Sequence, residues 1–229
     1  MVVTAHQPIF LPWPGFFYKA LHADALVLLD RVQFPQGRGW MHRNRLKSDR
    51  GDHWLRVPIW RAGRGTQLIA DVEICDDTDW RAGHLRSVRE LYAHAPYLEP
   101  HLAALEEIYG RRHRTLAALN VDLIRHMWRA LAAPGRLCLQ SELDVAGHGT
   151  DLLVNVCEAL KGDTYLALTV AAKYIDSQKL RARRVELVLA KFRPPVYPQL
   201  WGDFRYNVSA LDLALNCGPK ARDILAAGA

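Results

Sequence analysis

The chain has 229 residues, of which 50% are hydrophobic, so it can bury the core of a sizeable domain and lacks the composition of a disordered protein. No apolar run approaches the roughly 18 residues of a membrane span, and no basic leader precedes an apolar segment, so we expect a soluble, cytoplasmic protein without a membrane partner. The formal net charge of +6 comes from arginine rather than lysine, and guanidinium groups favour an anionic partner.

The amino terminus joins a short apolar run to a stiff loop. The run 1–5 predicts a buried strand that proline breakers stop after Gln7, so His6 and Gln7 lie at its carboxyl end. Three prolines and a glycine in the loop 8–15 restrict its backbone, and ligands of open α/β sheets bind at this edge. A structural turn, in which the histidine only hydrogen-bonds backbone, is the open alternative.

A second strand follows a short helix. Residues 15–21 predict the helix and residues 25–30 the strand, which ends at Asp30. A right-handed crossover makes the two strands parallel, so Asp30 falls at the same edge as His6 and Gln7. We therefore predict one crevice in which His6, with a near-neutral pKa, is the general base. Gln7 and Asp30 would orient its ring.

The segment 33–50 is polar and basic and is predicted to be an anion-binding loop. Arg43 and Arg45 flank Asn44, so two guanidinium groups can hold a phosphate while the amide reads a neighbouring hydroxyl or amide. Trp40 can cover a base, a sugar or a carrier arm. The alternative is a solvated basic strand edge that discourages aggregation.

The later elements alternate between strands and helices. In chain order, the pattern predicts strands over 53–59 and 68–74, helices over about 80–95, 100–110 and 116–134, a helix over 150–160 that Thr150 caps, a strand over 164–168, a helix or turn over 170–180, a strand over 185–190, and a closing helix from Ser209 to Cys217. We expect a single α/β domain over 1–229 with a mixed or largely parallel sheet, flanking helices, and a helical insertion or subdomain at about 80–134.

Further polar and aromatic side chains are predicted to join the crevice. Lys19 lies in the first helix, where it can point back at the loop as an electrostatic clamp, although a solvated lysine is the alternative. The predicted substrate-binding residues are Trp13, Lys19, Trp40, Arg43, Asn44, Arg45, Tyr165, Tyr174 and Gln199.

Several kinds of site lack their sequence signature. The four cysteines are isolated from one another, and His84 and His94, ten apart on a predicted helix, have no carboxylate or cysteine partner at metal spacing, so no metal site is predicted. The glycine fingerprints of dinucleotide and P-loop sites are absent, and no cofactor is expected. No serine has the small-residue elbow of an exposed nucleophile.

The stretches His6-Gln7-Pro8, Leu11-Pro12-Trp13, Val32-Gln33-Phe34 and Arg43-Asn44-Arg45, with Gly15, Lys19, Asp30 and Trp40, resemble the WbqC-like proteins of bacterial glycan and natural-product gene clusters. Sparser matches continue along the rest of the chain, at Trp54, Val57-Pro58, Trp80, His84, Tyr92, Ala95-Pro96, Tyr109, Asn120, Tyr165, Tyr174, Tyr197, Gln199, Phe204, Ser209, Asp212, Asn216 and Gly218. The resemblance implies a modifying enzyme beside aminosugar or amino-acid pathways that attaches aminoacyl groups. The chain departs from the pattern at Pro14, at Phe16, and at residues 167–169, where a glycine turn is common.

These observations predict a biosynthetic enzyme that binds an anionic, nucleotide- or carrier-linked amino substrate and transfers an acyl or aminoacyl group to its nitrogen. One alternative is cyclisation of the amino substrate with loss of an anionic leaving group. Another is a non-catalytic subunit that binds a protein partner, such as an acidic carrier protein, through the basic loop. A nucleic-acid role ranks last, because the basic residues form one cluster rather than a long stripe.

Overall fold

The computed structural model describes residues 1–37 and 39–228. In chain order its elements are β1 (Val2–His6), α1 (Pro14–Leu21), β2 (Ala25–Leu28), β3 (Arg43–Ser48), β4 (Gly51–Arg56), α2 (Trp80–Leu91), α3 (Leu98–Gly110), α4 (Leu116–Ala130), β5 (Arg136–Leu139), α5 (Gln140–Leu143), α6 (Gly149–Leu160), β6 (Thr164–Leu168), α7 (Ser177–Ala182), β7 (Glu186–Ala190), α8 (Ala210–Cys217) and α9 (Ala221–Ala226). Short 3₁₀ helices cover Ile69–Asp71, Thr169–Tyr174 and Gly218–Lys220.

The main sheet has five parallel strands in the order β5-β2-β1-β6-β7. The predicted α/β class with a largely parallel sheet and flanking helices is therefore confirmed. The chain builds outward from β1 through β2 to β5 and then returns to place β6 on the other side of β1. This reversal puts a topological switch point between β1 and β6, and ligands of open sheets bind outside the carboxyl ends at such a point.

Both faces of the sheet are buried, because consecutive side chains of a strand point to opposite faces. Val3 and Ala5 of β1 pack into an apolar cluster with Val156 of α6. Leu26 and Leu28 of β2 pack into a larger cluster that also takes side chains from α1 to α4 and from α8. This arrangement explains why the strands read as short apolar runs rather than as alternating patterns.

The helical middle of the chain follows its hydrophobic period. The break predicted near Gly110 is confirmed, since α3 ends at that residue and α4 begins at Leu116. The side chain of Thr115 accepts a hydrogen bond from the backbone N–H of Ala118 and so caps α4. The buried apolar side chains of α4 belong to the same larger cluster as Leu26 and Leu28 of β2, so α4 does not form a core of its own.

Two predictions upstream of this segment were wrong. Residues 43–48 of the predicted loop form β3, which pairs with β4 in an antiparallel hairpin. The strand predicted over 68–74 is a 3₁₀ turn, Ile69–Asp71, flanked by isolated bridges. Each of its ends pairs with a different segment, so no ladder forms.

Three further differences lie after α4. Strand β5, which has four residues and completes one edge of the sheet, was not predicted. Thr150 does not cap α6; its hydroxyl accepts a hydrogen bond from the backbone N–H of Asp176. Ser209 caps α8 as predicted, through the N–H of Leu211, but α9 follows it, so α8 does not close the chain.

Within residues 1–37 and 39–228, no helix combines the length and the apolar composition needed to cross a bilayer.

Candidate functional site

Two buried asparagines hold the opening loop in place. Asn120 donates from Nδ2 to the carbonyl oxygens of Pro8 (2.7 Å) and Met41 (2.8 Å), and Asn44 donates from Nδ2 to that of Leu11 (2.6 Å). Leu11 has a φ of 40°, a left-handed conformation that surrounding contacts must maintain. These bonds satisfy carbonyls that would otherwise be buried without partners, and they fix the position of the next aromatic residue, Trp13.

Trp13 stands between two open cavities. One, of about 280 Å³, is lined by Trp13, Trp40, Asn44, Arg45 and Asn207. The other, of about 230 Å³, shares Trp13 and Asn207 and continues along Leu168 to Phe192. Because Leu168 is the last residue of β6, the smaller cavity lies at the switch point of the sheet.

Trp40 and Arg45 line the larger cavity, and Trp54 and Arg43 lie beside them outside its lining. Trp40 stacks on Trp54, with ring centroids 5.6 Å apart and an interplanar angle of 22°, and both rings are half exposed. The guanidinium of Arg43 lies 4.9 Å from the centroid of the Trp54 ring. Arg43 and Arg45 are two residues apart on β3 and point to the same face of the hairpin, as an anion site requires.

Arg45 reaches the cavity with part of its donor capacity unused. Its Nη1 forms an ion pair with Asp52 (2.6 Å), and its Nη2 donates to the carbonyl of Tyr206 (3.2 Å). Its Nε is buried and has no hydrogen-bond partner among the described residues. A guanidinium has five N–H donors, so the second N–H on each of Nη1 and Nη2 is left for a ligand oxygen, whereas the buried Nε is out of a ligand's reach.

His6 lies at the carboxyl end of β1, as predicted, but its surroundings differ from the prediction. Its Nδ1 is 2.9 Å from the carbonyl oxygen of Gln7, and its ring packs edge-on against Phe16. Burial and the nearby charge of Lys19 lower the pKa of His6 to about 3. The near-neutral pKa was therefore wrong, and the ring is neutral at physiological pH.

Lys19 is buried, so the solvated alternative for this side chain was wrong. Its Nζ donates to the carbonyl oxygen of Ala5 (2.9 Å), one residue before His6. Burial lowers the pKa of Lys19 to about 7, because its ammonium group has left water without gaining a carboxylate partner among the described residues. His6 and Lys19 are not among the residues that line the two cavities.

Comparison of the sequence with protein-family models and with known proteins shows to which family this chain belongs. The model of the WbqC-like protein family matches residues 7–224, nearly the whole chain. This chain belongs to the WbqC-like protein family. It is also 31% identical over 227 residues to the uncharacterized protein Rv1507c of Mycobacterium tuberculosis (strain ATCC 25618 / H37Rv), an alignment that covers 97% of this chain and 96% of the relative. No solved structure matches the chain significantly.

In this WbqC-like chain, several predicted site residues make structural bonds instead. Both carboxylate oxygens of Asp30 accept from Ser141, one from its N–H and one from its hydroxyl, so Asp30 anchors the start of α5 and does not orient His6. The Nδ1 of His6 hydrogen-bonds to the backbone carbonyl oxygen of Gln7, and not to the side-chain amide of Gln7. The Oδ1 of Asn44 accepts from the N–H of Arg45, so with its Nδ2 also bonded this amide is not free to read a substrate.

The predicted residues of the carboxyl-terminal third do not converge on the cavity either. Tyr165 is 4% exposed and belongs to the apolar cluster on the other face of the sheet from α1. Tyr174 is 72% exposed and lies beside Lys173, whose ammonium is 4.9 Å from its ring centroid. Gln199 donates from Nε2 to Asp212 (3.0 Å), so it belongs to a buried network.

The hydrogen-bond network around Asp212 was not predicted from the sequence. Asp212 is fully buried, and its carboxylate accepts from the hydroxyls of Tyr92 (2.6 Å) and Tyr197 (2.8 Å) as well as from Gln199. Burial raises the pKa of Asp212, and burial next to this carboxylate raises the pKa of Tyr92. The only signal in the sequence was that these positions match the WbqC-like pattern.

The described part of the WbqC-like chain holds no group of three or more His, Cys, Asp or Glu side chains placed to bind a metal ion.

Four buried or largely buried histidines give the protein an expected acid sensitivity. Burial lowers the pKa to about 3 for His6 and to about 4 for His42, His84 and His101. The unfolded chain therefore binds more protons than the folded one below about pH 6.5, so stability falls as the pH decreases towards 4.

We expect the free energy of unfolding, measured in urea at pH 7, 6 and 5, to drop by as much as about 1.4 kcal/mol per pH unit for each such histidine. His84→Gln should reduce this slope, whereas the same change at the exposed His94 should leave it intact. A free energy that stays constant over the interval would contradict the expectation.

Proposed function

We propose that this WbqC-like protein is a biosynthetic enzyme that binds an anionic, nucleotide- or carrier-linked amino substrate and transfers an acyl or aminoacyl group to its nitrogen. The observation that supports the proposal is the placement of Arg45 in the wall of an open cavity, between Trp13 and Trp40. Charged donors beside flat aromatic surfaces suit a phosphate, sulfate or carboxylate joined to a planar group. The proposed location is the cytoplasm, and the free state of Cys75, Cys138, Cys157 and Cys217 supports it.

In the proposed mechanism, Arg45 holds the anionic group and Arg43 adds positive charge on the same strand face. The Nδ1 of His6 faces a carbonyl oxygen and so carries the ring proton, which leaves Nε2 as an acceptor. His6 does not line the cavity of Arg45, so in this proposal the substrate amine extends beyond that cavity to reach Nε2. Burial, with a smaller contribution from the charge of Lys19, keeps this imidazole neutral. The amine nitrogen forms a bond to the acyl carbon, the bond from that carbon to the leaving group breaks, and the leaving group takes the proton lost by the amine.

Binding is tested by calorimetric titration with a nucleoside-diphosphate-linked amino sugar at low salt. Arg45→Gln should weaken binding about 10-fold or more, because a charge-assisted hydrogen bond contributes about 1.5–3 kcal/mol. Trp40→Ala should weaken it by a smaller factor. Arg222→Gln, an exposed arginine on α9, is the matched control. Equal affinities for Arg45→Gln and the control would reject the proposed site.

Mass spectrometry of the same substrate, incubated with an aminoacyl thioester, then tests the reaction. Transfer adds the mass of the aminoacyl group and releases the thiol. Loss of the anionic group without addition would instead support cyclisation at the same site and overturn transfer.

A non-catalytic role is the second candidate, and exposed tryptophans favour it. Trp40, Trp54 and Trp60 are each more than 40% exposed, and the chain carries a formal charge of +6. Such a surface suits an acidic carrier protein. Salt-sensitive binding of a carrier protein, with no product from any amino substrate, would support this role against transfer.

A further inference from the structure

A buried lysine lines a third cavity on the β3 hairpin. Lys47 is 1% exposed, and its Nζ donates one hydrogen bond, to the carbonyl of Gly202 (3.2 Å). The cavity has a volume of about 440 Å³, and its walls include Arg50, Trp201 and Arg205. This volume lies within the range of small-molecule sites. None of its lining residues lines the cavity beside Trp13.

The charge of Lys47 lacks a partner in the described chain. No carboxylate lies within ion-pair distance of its Nζ among those residues. Asp212 and Asp203 are near enough to influence its charge, but neither forms an ion pair with it, and the carboxylate oxygens of Asp212 already accept from Tyr92, Tyr197 and Gln199. Burial lowers the pKa of Lys47. An ammonium group held out of water without a counter-ion is destabilising, and a bound anion would relieve that penalty.

The other charges around this cavity make it net cationic. Arg50 and Arg205 join Lys47 on its walls, against Asp49 and Asp203, and Asp49 lies 3.8 Å from Arg50. Arg205 lies over the backbone at Gly51, where a Cβ would come within 3.1 Å of Nη2, so the absence of a side chain there leaves room for the guanidinium. Three cations against two acids therefore face one opening.

The wall also offers an apolar surface in a fixed position. The indole Nε1 of Trp201 donates to the carbonyl of Leu91 (2.7 Å), and the side chain keeps 37% of its surface exposed. Trp201 and the adjacent Gly202 both have positive φ, 65° and 61°, which sets the turn that carries them over Lys47. An organic group can therefore pack on the ring while an anion contacts the lysine.

We propose that this cavity binds the phosphate monoester of a small molecule, with the phosphate on Lys47 and Arg205 and the organic part against Trp201. Lysine acts as a compact point charge for phosphate, and the adjacent guanidinium adds directed N–H donors. The site goes beyond the function proposed above. Its test is independent, because the two cavities have no wall in common.

Isothermal titration with phenyl phosphate, inorganic phosphate and benzoate at pH 7 and low salt tests this site. Phenyl phosphate should bind saturably and more tightly than either of the other probes, since only it combines a phosphate with a ring. Lys47→Met should weaken it about 10-fold or more, and Arg205→Gln about 3-fold or more, through loss of charge-assisted bonds. The matched control is Lys191→Met, at an exposed lysine outside this cavity.

Three results would overturn the proposal. They are the lack of saturable phenyl phosphate binding, equal binding by Lys47→Met and the control, and equal or tighter binding of benzoate. If Lys47→Met does not fold, Arg205→Gln decides the matter, because that side chain is on the surface. Arg45→Gln should bind phenyl phosphate like the control, which separates this cavity from the one beside Trp13.

Discussion

Asp212→Ala is expected to lower the free energy of unfolding by about 3 kcal/mol or more, because three buried donors lose their acceptor and each such group costs about 1–3 kcal/mol. The carboxylate is fully buried and accepts from Tyr92, Tyr197 and Gln199. Its removal leaves these donors in the interior without their acceptor, and each such group carries a desolvation penalty. Urea denaturation followed by circular dichroism measures the change.

The matched control is Asp223→Ala at an exposed position in the first turn of α9, where the loss should stay below about 1 kcal/mol. Asp212→Asn should be less costly than Asp212→Ala, because the amide keeps the volume and one carbonyl acceptor. Similar denaturation midpoints for Asp212→Ala and Asp223→Ala would show that the network contributes little to stability.

Lys19→Met is expected to abolish a rise in stability that the wild-type protein shows in alkaline solution. The pKa of Lys19 falls from 10.5 to about 7 in the folded protein. Between these two values the unfolded chain binds the extra proton, so the free energy of unfolding increases with pH across this window. The increase for one group is at most about 1.4 kcal/mol per pH unit.

The measurement is urea denaturation at pH 7, 8 and 9 for the wild type and Lys19→Met, with the difference taken at each pH. That difference should change steadily across the series, although the variant also leaves the carbonyl of Ala5 unpaired and so starts from a constant offset. Lys191→Met, at an exposed position, should follow the wild type. A constant difference between wild type and Lys19→Met would contradict the lowered pKa.

The elements that the sequence predicted correctly have a strong local signal. The apolar run before His6 and the run 164–168 are buried on both faces of the sheet, and the residues after Trp80 keep a helical period. The strand β5 was missed because it has only four residues, and its pairing with β2 makes it a strand. The strand predicted over 68–74 was wrong because its residues form only isolated bridges with different segments and do not pair with one strand.

The site was predicted less well than the fold. The sequence placed His6 at a sheet edge and Arg43 and Arg45 together, and the structure keeps both features. Their catalytic and binding roles remain predictions. Asn44 and Asp30 were identified as polar residues of the right type, but their amide and carboxylate bond to the protein itself. The sequence shows that a polar side chain is present at a position. It does not show which atom lies within hydrogen-bond distance of that side chain.

The sequence by itself determined the largely parallel α/β class, the position of His6 after the first strand, and membership of the WbqC-like family. These features depend on local periodicity, on breakers and on a motif that is continuous in the chain. Only the tertiary structure decided that Lys19 is buried, that Asp212 joins Tyr92 in one network, and that Lys47 faces a cavity. Those outcomes depend on desolvation and on contacts between residues as many as 155 positions apart, and neither is encoded in the local pattern.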